Sequence, residues 1–300
     1  GADEGHKVSL LDGSRLEHLT EENYFFPLSR YAEQLLALYE AQPDFIQPES
    51  ARNEVISFVK SGLKDLSISR STFDWGIPVP WDESHVMYVW IEALLNYVTA
   101  AGYGVDESKF EELWPASVHI VGKDILRFHA VIWPAMLMAA GLPVPHRVFA
   151  HGWLLVGGEK MSKSKANGIH PTQIVDAFGS DAYRYYFSRA LTFGHDGSIS
   201  WEDIAARYQA ELANGFGNLA SRVAAMVGKY FDGALPASGP HAEAETSIVE
   251  LVRVAVADAD VAMGNLAPHE AVAAIWRIVD ALNGYITEQE PWAVAKVESQ

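Results

Sequence analysis

The sequence has no cysteine. That removes disulfide cross-links and thiolate zinc sites, so the fold has to rest on its apolar core. Long hydrophobic runs are missing as well, and none approaches the length of a membrane-spanning helix. Positive charge is scarce: 22 Lys and Arg stand against 39 Asp and Glu, for a net charge of −17. Binding a polyanion by counterion release needs many lysines and arginines, so a surface that grips nucleic acid everywhere is excluded. A local basic patch is not excluded, and acidic charge around it would restrict where a polyanion lands. No glycine-rich turn runs into Gly-Lys-Ser/Thr, so that type of phosphate loop is absent. The opening residues Gly1 to Lys7 carry no secretory signal pattern, and a cytoplasmic protein is expected.

What the chain does have is 49% apolar residues over 300 positions, enough for a substantial core and for two domains. It is organised around one stretch, Gly158-Glu159-Lys160-Met161-Ser162-Lys163-Ser164-Lys165-Ala166-Asn167, with three lysines inside six residues. Gly157 and Gly158 make the preceding turn pliable. Lysines on such a loop can swing onto a polyphosphate and offset its charge while a bond to phosphorus is made or broken. By composition alone the run would be a solvated basic loop.

The pattern around this loop is α/β. Residues 1–22 are polar and turn-rich. Glu22 to Phe26 reads as a short strand, Leu28 to Tyr39 as a helix ending before Pro43, and a second helix opens after Pro48. Phe73-Asp74-Trp75-Gly76-Ile77-Pro78-Val79-Pro80 reads as a stiff extended connector, taken as the point where the chain leaves an insertion. Val86 to Trp90 is a strand candidate, Ile91 to Ala101 a helix, and Ser117 to Gly122 a strand expected to be buried on both faces. A helix is expected over Asp124 to Ala140, then a strand over Arg147 to Ala150. That alternation marks a parallel sheet, where ligands collect at strand carboxyl ends. Two short helices follow the lysine loop, then a connector from Gly194 to Trp201. From Ile204 on the pattern is helical, with an apolar stripe through Tyr208, Leu212, Phe216, Leu219, Val223 and Met226. The expected divisions are 1–75, 76–199 and 200–300, the last being all-α.

Candidate chemistry clusters after the strands. Trp90, Ala93 and Tyr97 share a helix face, and aromatics around a small residue suit a compact apolar ligand; a thioether packs well on ring edges. By spacing alone ordinary core packing explains the same pattern. Gly122 permits close approach of backbone to a ligand, and Asp124 can accept from ribose hydroxyls. His129 lies one helical turn beyond Ile125 and can border the same cavity, whereas His119 reads as a satisfied core histidine. No metal-ligand pattern is present. Asn214, Asn218 and Arg222 repeat at i, i+4 and i+8, and their planar donors suit base edges. Trp292 opens a helix and can stack an unpaired base.

Lys160-Met161-Ser162-Lys163-Ser164 resembles the second signature of class I aminoacyl-tRNA synthetases. With it, Glu22-Asn23-Tyr24-Phe25-Phe26, the Phe73 to Pro80 connector, Met87-Tyr88-Val89-Trp90, Gly122-Lys123-Asp124-Ile125, Phe128-His129, Asn218-Leu219-Ala220-Ser221-Arg222 and Glu290-Pro291-Trp292 resemble methionyl-tRNA synthetases. The resemblance implies the second half of a Rossmann-like parallel sheet followed by a helix-bundle anticodon-binding domain. It implies a methionine–tRNA ligase acting on methionine, ATP and tRNA(Met), with magnesium on the ATP phosphates and no zinc site in this chain. Trp90, Ala93, Tyr97, Ile125 and His129 would line the methionine pocket. Gly122 and Asp124 would touch the ribose, and His151, Gly152 and Leu154 would border adenine. Lys160 and Lys163 would stabilise the phosphates, while Asn218, Arg222 and Trp292 would read the anticodon. Leu94 and Ile132 depart from the family pattern, with apolar replacements. The first class I signature, a His-Ile-Gly-His type string, does not occur. An N-terminal half of the catalytic domain is therefore an expected partner. Two other expectations stand beside this one: a class I synthetase for a different apolar amino acid, and a non-catalytic tRNA-binding relative.

Overall fold

Pro43 and Pro48 bracket Phe45-Ile46-Gln47, and this short piece starts the central sheet of the computed structural model, which describes residues 20–161 and 168–298. Ile46–Gln47 pairs parallel to Val148–His151, and His119–Gly122 lies on the other side of Val148–His151. Phe45, Ile46, Val148, Phe149 and Ala150 are almost wholly buried. The segment was not legible beforehand, because two residues between prolines give no alternation to read.

The chain divides into two compact units, Gly1–Ala150 and His151–Gln300. In the first, helices Ala32–Ala41, Glu49–Lys60 and Val89–Ala101 pack their apolar faces around the sheet through Leu35, Tyr39, Val55, Val59, Leu94 and Val98. Val89–Ala101 stops at Gly102, whose φ of 106° is strained for any side chain; a Cβ there would also meet the Asp106 carbonyl at 2.8 Å.

Four expectations change here. The strand expected at Val86 to Trp90 is Asp82–Met87, and Trp90 sits in the first turn of the following helix. That strand belongs to a separate antiparallel sheet with Ser69–Arg70 and Pro78–Val79, so the proline-rich connector is half of a hairpin. The strand His119–Gly122 is covered on one face only, leaving Ile120 51% exposed. The helix expected from Asp124 to Ala140 is broken into a tight turn at Lys123–Ile125, a π-helical turn at Phe128–Ile132 and an α-helix at Trp133–Ala140. Pro134 has no N–H to continue the α pattern, and Trp133 N–H donates to the Phe128 carbonyl five residues back.

In the second unit, helices Pro171–Phe178, Ser180–Ala190 and Trp201–Arg207 surround Ile174, Tyr186, Ile199 and Ile204. The rest is helical: a π-helical stretch at Tyr208–Gly217, then Asn218–Tyr230, Glu243–Gly264, Pro268–Gln289 and Pro291–Glu298. The apolar stripe read through this region is only partly buried. Ile204 and Leu219 are inside, but Phe216 and Val223 are exposed, because the π-helical stretch shifts the phase of the stripe.

Tyr39 donates a 2.6 Å hydrogen bond to the Ala130 carbonyl inside the π-helical turn. Tyr39→Phe removes this buried bond without changing shape. Urea unfolding should show a loss of about 1–2 kcal/mol with an unchanged m-value.

Candidate active site

Two neutral histidines and five aromatic side chains make the candidate site of the first unit. Helix Val89–Ala101 presents Trp90, Ala93 and Tyr97 on one face. Tyr97 faces the π-helical turn, and the widened turn brings His129 to it: Tyr97 Oη and His129 Nε2 lie 2.8 Å apart. His129 Nδ1 lies 3.0 Å from the Ile125 carbonyl. A carbonyl can only accept, so the imidazole proton sits on Nδ1, and Nε2 accepts from the tyrosine hydroxyl. Trp90 stacks on Phe128, with centroids 4.0 Å apart and planes 19° from parallel. The spacing of Trp90, Tyr97, Ile125 and His129 thus becomes one cluster in space, while Ala93 lies on the same face and is exposed.

His119 does more than fill space. Trp133 Nε1–H donates to His119 Nε2 at 3.3 Å, and the Tyr97 ring lies 4.3 Å from the His119 ring. With Trp114, these groups form a layer directly beneath Tyr97. Phe128 enters the sequence reading only as part of the Phe128-His129 resemblance, and Trp133 not at all; the signal available was their aromatic character one residue before His129 and four residues after it. Burial pushes the His119 imidazole down to about 4, with His129 nearby adding to the effect. Burial also lowers His129, opposed by its bond to the Ile125 carbonyl. Burial raises the Tyr97 phenol. All three groups are therefore neutral at pH 7. Gly122 ends the strand, and Asp124 lies exposed in the turn that follows. Leu94 and Ile132 both belong to the hydrophobic core.

The second unit holds the lysines. Leu154–Val156 and Glu159–Lys160 form a tight hairpin, with Gly157 and Gly158 at φ of 60° and 81°, as a two-residue turn of this hand requires. His151, Gly152, Trp153, Leu154 and Lys160 line an open cavity of about 360 Å³ together with Phe187 and the segment Leu191 to His195. The Lys160 ammonium lies 4.1 Å from the centre of the Trp153 ring. Lys163 lies outside the described residues. The connector Gly194 to Trp201 proves to be part of this site: Gly197–Ser198 adds a parallel strand to the hairpin, and His195 lines the cavity.

In the helical region, Asn218 and Arg222 are exposed one turn apart, and Trp292 is 39% exposed. Arg222 Nε donates to the Asn218 carbonyl at 3.3 Å, and its terminal nitrogen bonds Asn283. Asn283, unread from sequence, is itself anchored to the Val279 carbonyl at 3.0 Å. Asn214 accepts from Gln209 at 3.1 Å.

The description "tRNA synthetases class I (M)" matches residues 5–224. The chain belongs to this family of class I tRNA synthetases. It is 61% identical over 296 residues to a methionine–tRNA ligase of Streptomyces coelicolor, covering 98% of this chain and 55% of the relative. It is 53% identical to one of Rhizobium meliloti, covering 95% and 56%. A crystal structure of Mycobacterium tuberculosis methionyl-tRNA synthetase bound by methionyl-adenylate superposes with a TM-score of 0.92 at 46% identity, covering 98% of this chain and 58% of that one. The chain spans about half the length of the curated relatives it matches. The parallel sheet followed by helices is the class I synthetase architecture, as expected from the sequence.

The buried histidines set a pH dependence. His119 has a folded pKa near 4 against an ordinary value of 6.5, so the unfolded chain holds more protons between those values. Stability from this group is complete above pH 6.5 and falls as pH drops toward 4, by up to about 1.4 kcal/mol per pH unit. His129 acts in the same direction. Chemical denaturation across pH 4.5–7.5 should show this slope, and His119→Asn should flatten it.

Proposed function

We propose that the protein is a methionine–tRNA ligase, to which this chain contributes the amino-acid pocket, the lysine hairpin and the anticodon-reading helices. The observation that carries the reading is the uncharged aromatic cluster beside the strand His119–Gly122, where Trp90 stacks on Phe128 and Tyr97 bonds His129. A thioether packs favourably on ring edges, and a site without formal charge accepts it without a desolvation penalty. The names of the relatives support the same substrate.

In the proposed reaction a methionine carboxylate oxygen attacks the α-phosphorus of ATP. Pyrophosphate leaves, and a terminal hydroxyl of tRNA(Met) then takes the methionyl group and releases AMP. Little covalent help from side chains is needed; orientation and charge stabilisation carry the first step. Trp90, Ala93, Tyr97, Ile125 and His129 hold the methionine. Gly122 and Asp124 hold the ribose, while His151, Gly152 and Leu154 border adenine. Lys160 and Lys163 act on the phosphates. Magnesium enters with those phosphates; among the described residues no group of three or more histidines and acids could hold a metal. Asn218, Arg222 and Trp292 read the anticodon of the tRNA.

An N-terminal half of the catalytic domain, carrying the first ATP-binding signature, belongs to the same proposal. Two observations support it: the chain spans about half of its relatives, and Ile120 leaves one face of the sheet open. The division into 1–75, 76–199 and 200–300 is also proposed, with Ile46–Gln47 tying the first part to the central sheet. No helix among the described residues is long and apolar enough to cross a membrane, and a cytoplasmic location is proposed.

Exchange of labelled pyrophosphate into ATP tests the reaction with methionine, leucine, isoleucine and valine, using the chain joined to its N-terminal half. Exchange with methionine alone is expected. Exchange with a branched amino acid would make it another class I synthetase, and RNA binding with no exchange would make it a non-catalytic relative. Lys163→Ala should lower kcat by about 10²–10³. Arg222→Ala should weaken tRNA(Met) binding by about tenfold or more, with pyrophosphate exchange unchanged.

A further inference from the structure

Lys160 stands at the base of the lysine loop, and its ammonium rests on the face of Trp153, 4.1 Å from the ring centre. Trp153 is itself held in place. Its backbone N–H donates to Asp196 Oδ1 at 2.8 Å, and its backbone carbonyl accepts from Gly197 N–H at 2.9 Å, which fixes where the indole is attached. Ile199 N–H adds a bond of 2.9 Å to the Leu155 carbonyl. Gly152 leaves room for this clamp: a Cβ there would collide with the His195 carbonyl and the Asp196 nitrogen. On the other side, Met161 N–H donates to the Leu154 carbonyl at 3.0 Å, fixing where the hairpin releases the chain into the loop.

We propose that Trp153, clamped by Asp196, is a positioning residue that presets Lys160 over the mouth of the cavity. A free lysine side chain samples many rotamers, and ordering it on a phosphate costs conformational entropy. Resting on the indole, it has lost much of that freedom before the nucleotide arrives. A cation–π contact at an exposed site is weak compared with a charge-assisted bond to phosphate. A polyphosphate therefore outcompetes the ring for the ammonium. This inference rests on the ligase reading above, since it assigns a role within that nucleotide site.

A double-mutant cycle on pyrophosphate exchange tests it, again with the chain joined to its N-terminal half. Trp153→Leu should raise KM for ATP by about fivefold and leave KM for methionine unchanged. Trp153→Phe should fall between, since it keeps a ring with a weaker face. In a Lys160→Met background, Trp153→Leu should have no further effect, because its partner is gone. Equal losses in both backgrounds would show that the indole acts on the nucleotide or the fold directly, and would overturn the inference. NMR of the Lys160 ε-methylene protons gives a readout independent of turnover. They should be shifted upfield by the indole, less so in Trp153→Leu, and should return downfield as ATP is added. An unshifted signal in the wild type would overturn the inference even if methionine-dependent exchange were normal. Absent exchange with the upfield shift intact and ATP-sensitive would instead contradict the ligase reading alone.

Discussion

A buried neutral imidazole has one proton and must satisfy two nitrogens. His129 meets that constraint by donating to the Ile125 carbonyl and accepting from Tyr97, and the site of the first unit follows from it. The acceptor, the Ile125 carbonyl, lies four residues back, just after the tight turn at Lys123–Ile125. The donor, Tyr97, lies on another helix, and the π-helical turn Phe128–Ile132 brings His129 to it. Tyr39 braces that turn from below through the Ala130 carbonyl. Beneath Tyr97, His119 repeats the same logic with Trp133 as its donor. Because desolvation holds both histidines neutral, the aromatic wall carries no formal charge and suits an uncharged, apolar group better than an ionised one.

The lysine hairpin solves a different problem, that of carrying charge on a short exposed element without letting it wander. Its two-glycine turn fixes the hand of the hairpin, and a third strand from Gly197–Ser198 stiffens it.

Legibility from sequence tracked the length and regularity of each signal. Helices with several apolar repeats, such as Glu49–Lys60 and Pro268–Gln289, were readable because periodicity is a local property. Ile46–Gln47 was not, since its status as a strand depends on a neighbour about 100 residues away. Trp90 was placed in a strand because the β-branched and aromatic run Val86 to Trp90 continues past the true strand end at Met87. The π-helical turns left no periodic mark at all. In the site, Trp90, Tyr97 and His129 were legible as candidates, but their roles came from resemblance to a family; spacing alone favoured core packing. His119 reads correctly as a satisfied core histidine, whereas Trp133, Asp196 and Asn283 give no sequence signal because each acts through a partner distant in sequence, and a single chain does not display such pairs.

Equilibrium binding of methionine against leucine, measured by calorimetry on the wild type and on Tyr97→Ala, tests most directly that this pocket selects the substrate. Methionine should bind at least about tenfold more tightly than leucine, and Tyr97→Ala should remove most of that preference. Equal affinities in the wild type, or a preference that survives in Tyr97→Ala, would contradict the assignment of selectivity to the Tyr97–His129 pocket.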